Sequence, residues 1–245
     1  MRLAIMQPYF LPYIGYFSLI HEADQFIILD TVQFQRKSWI TRNRILNQSG
    51  GSTYVNVPVK KAPLETSIKE IGINHEMDWK TKLFNQLFVY KKAPYYEQTI
   101  NILERALNKN NNTITELNKN LLVEICNYLH LACEIKVFSE MGLAIEEVHA
   151  ADEWALNISK ELNAIEYINA PGGVSFFDRQ KYEASHIQLK FIKNNLSAYK
   201  QFHLDFEPGL SIVDVMMFNS IEEIHEILAD YEEVFQQPIS EGSIS

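Results

Sequence analysis

Two runs near the start of the chain carry the side chains best suited to chemistry. The first is Gln7-Pro-Tyr-Phe-Leu-Pro-Tyr-Ile-Gly-Tyr16. A primary amide at Gln7 offers donors and an acceptor, and Tyr9 and Tyr16 offer rings and hydroxyls. Such a loop can orient a polar substrate, unless its Pro and Gly residues only shape a turn. The second run is Asp30-Thr-Val-Gln33-Phe34-Gln35-Arg36-Lys37-Ser38-Trp39-Ile40-Thr41-Arg42-Asn43-Arg44, with four cations in nine residues. Lys37, Arg42 and Arg44 can hold phosphates, with arginine suited to bidentate contact. Trp39 can stack on a base or sugar, while Gln33 and Asn43 add amides. Asp30 is the candidate general base, with Gln7 beside it as the second catalytic candidate. Burial would have to raise the Asp30 pKa, and arginine neighbours would oppose that. The plainer reading of the second run is a solvated loop with one cation paired to Asp30.

Weaker candidates follow downstream. Lys60 ends Val57-Pro-Val-Lys60, where it can face an anion or water. Gly172 and Gly173 follow Asn169-Ala-Pro171 and permit either close backbone approach to a ligand or a tight turn. In Ser211-Ile-Val-Asp214, Ser211 reads as a helix N-cap with Asp214 in the first turn. The rival is a carboxylate facing a pocket. The sequence has no phosphate-loop lysine motif, G-x-S-x-G, G-x-G-x-x-G or Cys/His metal spacing, so no metal is expected and no cofactor is named.

The elements that must position these residues are legible in outline. Arg2–Met6 is an apolar run of strand length, a Pro/Gly-rich turn follows, and Phe17–Ile20 opens a helix. A second apolar strand ends at Asp30. This β-loop-α-β order places Gln7 and Asp30 at strand carboxyl ends, where open α/β sheets bind ligands. Arg44–Asn47 and Tyr54–Val59 read as a hairpin around Ser49-Gly-Gly-Ser52, and Ile68–Ile73 alternates like a strand. Residues 77–131 carry three helical patterns, the third capped at Thr115, and form an insertion that could act as a lid. Strands at 134–138, 164–168 and 187–192 alternate with helices at 151–162 and 178–186. Ser220–Phe235 reads as an acidic amphipathic helix, and the last residues as a disordered tail. The expectation is one α/β domain over 1–240: a Rossmann-like, mostly parallel sheet with a helical insertion in the middle of the chain.

Composition narrows the classes. A net charge of −9 disfavours a protein built to grip nucleic acid. No membrane span is expected from the hydropathy pattern. The chain opens directly into a strand, which reads as a cytoplasmic protein without a signal peptide. Cys126 and Cys133 lie in a helical pattern that would set their Cα atoms ~10 Å apart, too far for a disulfide.

Taken together, Gln7–Tyr16, Asp30–Phe34, Trp39–Arg44, Val57–Lys60, Tyr90-Lys-Lys-Ala-Pro-Tyr95, Gly172-Gly173 and Glu207–Asp214 resemble the WbqC-like protein family over nearly the whole chain. The resemblance implies a bacterial cytoplasmic protein associated with O-antigen and other surface polysaccharides. It also implies a glycyl or other aminoacyl transfer to an amino sugar. A more distant similarity, to the nucleotidyltransferase and pantothenate-synthetase-like class, implies adenylate chemistry. That class uses a histidine pair in the first loop, and this loop has none. The reading is therefore a transferase acting on a nucleotide-activated amino sugar. Its alternatives are an adenylate-forming or nucleotidyl-transferring enzyme and a non-catalytic scaffold. Oligomeric state is left open.

Overall fold

The computed structural model describes residues 1–202 and 205–235. Strand β1 (Arg2–Met6) leads into helix α1 (Ile14–Glu22) and strand β2 (Gln25–Ile28). The hairpin follows as β3 (Arg42–Leu46) and β4 (Ser52–Asn56), antiparallel as the Gly-Gly turn predicts. The helical region is α2 (Trp79–Leu87), α3 (Tyr96–Leu107) and α4 (Ile114–Tyr128). The chain continues through β5 (Glu134–Val137), α5 (Glu153–Glu161), β6 (Glu166–Asn169), α6 (Arg179–Ala184) and β7 (Gln188–Asn194). It closes with α7 (Ile212–Phe218), α8 (Ile221–Ala229) and β8 (Tyr231–Glu233).

Six strands form one sheet in the order β5-β2-β1-β6-β7-β8. All neighbours are parallel except β7 and β8. Numbered by appearance within the sheet, this is the 3-2-1-4-5-6 order of doubly wound folds. Alternation along the strands divides the core. Ala4, Phe26, Ile28, Ile168 and Ile192 pack with α1, α7, α8 and the helical region. Leu3, Ile5, Ile27, Tyr167, Leu189 and Phe191 pack with α5 and α6 on the other face. β1 and β6 are neighbours, yet α1 leaves β1 over one face and α6 leaves β6 over the other. The chain therefore diverges at their carboxyl ends, which is the topological switch point where such sheets bind ligands.

Four local expectations need correction. Ile68–Ile73 is not a strand: Ile68–Glu70 is a 3-10 turn, and only isolated bridges such as Val59 with Ile73 remain. Helix α4 is capped by Thr113, not Thr115, through a capping box with Glu116. The last helix stops at Ala229, and Tyr231–Glu233 becomes an edge strand. Its acidic pattern, which reads as helix, instead meets lysines across the sheet, Glu233 with Lys190 at 2.7 Å and Glu232 with Lys193 at 2.9 Å. Cys133 lies beyond the end of α4, and both cysteines are free. Burial pushes both thiols up, Cys133 to about 12, so they stay protonated at neutral pH. The expected disordered tail lies outside the described residues. No helix among them is long and apolar enough to cross a membrane.

Candidate functional site

The residues from Gln7 to Tyr13 link β1 to α1, and the fold holds them from several sides. Tyr16 Oη donates to the Gln7 carbonyl at 2.9 Å. Phe10 N donates to Trp39 O at 2.9 Å, and Ile212 N to Pro12 O at 2.7 Å. Leu11 adopts φ 46°, a left-handed conformation that a branched side chain rarely takes. Its carbonyl receives two buried donors, Asn43 Nδ2 and Ser211 Oγ, the latter at 2.8 Å. Strain of this kind persists only where the surroundings over-determine the backbone, and here a β-hairpin and the start of α7 both do so.

This loop is one wall of a cleft of about 700 Å3 at the β1–β6 switch point, a size suited to a small-molecule site. The segment after β2 supplies the second wall, with Gln33, Gln35, Ser38 and Trp39. Gln33 is braced by its Nε2 on Leu64 O at 2.8 Å, and Ile40 by Asn118 Nδ2 from α4 at 3.0 Å. Through Asn118 the helical insertion supports the rim, although no residue of 77–131 lines the cleft. The third wall comes from Trp154 on α5, Tyr167 and Asn169 on β6, and the 3-10 turn Pro171–Gly173 leading to Phe176 and Phe177.

Gly173 is needed where it stands. A Cβ there would sit 2.9 Å from the Phe177 ring and 3.0 Å from Asn169 Nδ2. Displacing Phe177 is costly, because Tyr167, Tyr182 and Phe191 pack against its ring at 5.5–6.0 Å. A Cβ at Gly172 would meet nothing within 4 Å.

The lining is aromatic and amide-rich. No Lys, Arg, His, Asp or Glu side chain among the described residues lines the cleft. Burial raises the hydroxyls of Tyr9, Tyr16 and Tyr167 well above the usual tyrosine value, so at neutral pH they are neutral donors and acceptors. Among the described residues, no group of three or more His, Cys, Asp or Glu is placed to hold a metal ion.

Residues 7–226 match the sequence profile of the WbqC-like protein family. The chain belongs to this family. It is also 31% identical over 222 residues to the uncharacterized protein Rv1507c of Mycobacterium tuberculosis, spanning 89% of this chain and 93% of that one. No solved structure matches.

In this WbqC-like chain the predicted site residues divide. Gln7, Tyr9, Tyr16, Gln33, Trp39, Gly172 and Gly173 meet in the cleft. Asp30, Lys37, Arg42, Asn43, Arg44, Lys60 and Asp214 do not line it. Asp30 is 1% exposed, and its two carboxylate oxygens accept from Ser139 N at 3.1 Å and Ser139 Oγ at 2.7 Å. It fixes the turn after β5 against the end of β2 and has no arginine partner among the described residues. Asn43 grips Leu11 rather than a substrate. Arg44 is engaged by Glu207 at 3.4 Å and by the Pro208 and Gly209 carbonyls. Lys37 and Lys60 are exposed. Ser211 is the N-cap of α7, with its Oγ accepting from Val213 N at 3.2 Å. Asp214 is fully buried and takes Tyr90 Oη, Tyr199 Oη and Gln201 Nε2.

Sequence reasoning missed Trp154, Tyr167, Phe176 and Phe177 as lining residues. One signal was present: two adjacent aromatics directly follow a Gly-Gly turn at a strand end. Nothing local marks Trp154, which sits on α5 with its ring 5.9 Å from that of Phe138 after β5.

Proposed function

We propose that this protein is a transferase that moves a small acyl or aminoacyl group, such as glycyl, onto the amino group of a nucleotide-activated sugar for bacterial surface-polysaccharide assembly. The observation that carries the reading is the cleft itself. It is a switch-point site whose walls are rings and neutral amides rather than fixed charges. Rings such as Trp39 and Trp154 suit the apolar face of a sugar, and Gln7, Gln33 and Asn169 can bond its hydroxyls and amide. In the transfer, the amine nitrogen bonds the acyl carbon and the leaving group departs with its electron pair. Among the described residues the cleft lining offers no carboxylate, imidazole or amine base for the remaining proton, so the amine arrives neutral or releases its proton to solvent or the leaving group. Catalysis would then rest on orientation and on amide donors aimed at the developing oxyanion.

A second reading, nucleotidyl or adenylate transfer, is favoured by the strand order alone, and pyrophosphate release from ATP would distinguish it. The deciding experiment is a thermal-shift screen with UDP- and TDP-amino sugars, ATP, AMP, coenzyme A and glycine. A ligand at ~100 times its dissociation constant adds ~2.7 kcal/mol to the folded state. A shift with an amino-sugar nucleotide that is lost in Trp39→Ala or Gln7→Ala is expected. A shift with ATP alone would replace the first reading by the second, and no shift with any of them would favour the scaffold.

A further inference from the structure

We propose that Arg42 is an anion anchor at the rim of the cleft, taking an oxyanion, phosphate or carboxylate, carried by the molecule whose ring occupies the cleft. The proposal rests on the sugar-site reading above and gives it a charged subsite.

The cations of residues 36–44 differ in how they are engaged. Arg36 donates to Ala62 O at 3.0 Å, and Arg44 is occupied by Glu207 and two carbonyls. Arg42 is half-buried on β3, with its guanidinium carbon 4.7 Å from the centroid of the Tyr54 ring and 5.8 Å from that of Trp39. Those two rings lie 6.3 Å apart, and Trp39 lies 5.8 Å from Tyr9 on the cleft wall. A continuous row of rings thus runs from the cleft to the guanidinium. Trp39 and Tyr54 are both substantially exposed, so the row is open to a ligand.

Arg42 Nε is shielded from solvent and has no hydrogen-bond partner among the described residues. Among them, no carboxylate forms an ion pair with Arg42 either. The terminal amino groups of Arg42 likewise have no hydrogen-bond partner among the described residues and, unlike Nε, are not shielded, so they are the donors open to an arriving anion. The two ring contacts hold the guanidinium beside Tyr54 and Trp39 and leave its terminal amino groups as the available donors. Two aromatic rings therefore orient a fork of donors that matches the two oxygens of a phosphate or carboxylate. Among the described residues the cleft lining carries no charge of its own, so an anionic substituent on a ligand would be neutralised at this rim.

The test follows thermal unfolding of wild type, Arg42→Met and Arg42→Lys with pyrophosphate, with malonate, with N-acetylglucosamine and with its UDP derivative. Pyrophosphate or malonate is expected to stabilise wild type and not Arg42→Met; which of them does so separates phosphate from carboxylate. The UDP sugar is expected to bind wild type at least about tenfold more tightly than the free sugar, or about 1.4 kcal/mol, and Arg42→Met to lose that advantage. Arg42→Lys keeps the charge without the fork, so it should retain only a minor part of the advantage; it also carries the test if Arg42→Met fails to fold. Equal anion responses in all three proteins, or none in wild type, would overturn the anchor. If neither sugar binds wild type but an anion response depends on Arg42, the sugar reading fails and the anchor stands.

Discussion

Replacing Asn43 by Asp changes one atom of the side chain and tests what holds the cleft loop. Asn43 Oδ1 accepts from Arg44 N at 2.7 Å while Nδ2 donates to Leu11 O, in a site 1% exposed. Because Arg44 N can only donate and Leu11 O can only accept, the amide orientation is fixed. Asn43→Asp keeps the acceptor for Arg44 N but sets a carboxylate oxygen against the Leu11 carbonyl. The lost hydrogen bond costs about 1 kcal/mol, and an uncompensated buried charge brings the total to about 3–5 kcal/mol at neutral pH. At about 2–4 °C per kcal/mol for a chain of this size, Tm should fall by about 6–20 °C. Asn43→Ala should cost less, about 1–3 kcal/mol, because Ser211 Oγ still satisfies Leu11 O. The pH dependence has a definite sign. An unpaired buried carboxyl has its folded pKa raised, so the Asp penalty is full above that value and vanishes on acidification through the unfolded carboxylate range. Urea or thermal denaturation of the three proteins from pH 4 to pH 8 reads all of this. An Asn43→Asp protein as stable as wild type at neutral pH, or an Ala variant less stable than the Asp variant, would refute the assignment of Asn43 as the donor that pins Leu11.

Three further outcomes are expected. Tyr90→Phe leaves both Leu46 N and one Asp214 oxygen without the hydroxyl that joins them at 2.8 and 2.7 Å, so chemical denaturation should show a loss of about 2–5 kcal/mol; a loss below ~0.5 kcal/mol would mean the network closes without it. Burial raises the Asp214 pKa despite its three donors, so wild-type stability should decline as pH rises from the unfolded carboxylate range through the folded value, and Asp214→Asn should remove that part of the curve; an unchanged curve would contradict it. Gly173→Ala should weaken cleft ligands by displacing Phe177 and Asn169, whereas Gly172→Ala should bind like wild type, and equal behaviour of the two in a titration would show that the turn relaxes freely.

The parallel sheet was legible because its strands are short apolar runs at Arg2–Met6, Gln25–Ile28 and Gln188–Asn194, each followed by a turn or helix signal. The 3-10 turn at Ile68 was not, since its alternation comes from burying Ile68, Ile71 and Ile73 under the helical region rather than from pairing in a sheet. β8 was hidden for a related reason: Tyr231-Glu-Glu has no strand pattern of its own and pairs with the end of β7, where Lys190 and Lys193 meet its glutamates. At the site, residues next to strand ends in sequence reached the cleft, among them Gln7, Trp39 and Gly173. Asp30, Asn43 and Asp214 lie away from the cleft lining, and of the two readings of Asp214 the structure shows the one in the first turn of a helix capped by Ser211; a carboxylate or amide that secures buried backbone looks the same in sequence as one that faces a ligand.

That distinction shapes how the site works. The buried polar groups here are spent on geometry: Asn43 and Ser211 hold the left-handed Leu11, Asp30 holds the turn after β5, and Asp214 ties α7 to Tyr90 and Tyr199. The cleft surface is left to rings and neutral amides. A site of this kind gains little from shifting the pKa of its own side chains and depends on how rigidly the walls are set. Substitutions at Asn43 or Ser211, neither of which lines the cleft, should therefore lower ligand affinity much as removal of a lining residue does. The sensitivity of function to sequence then follows the clamps on the Gln7–Tyr13 loop as closely as the loop itself.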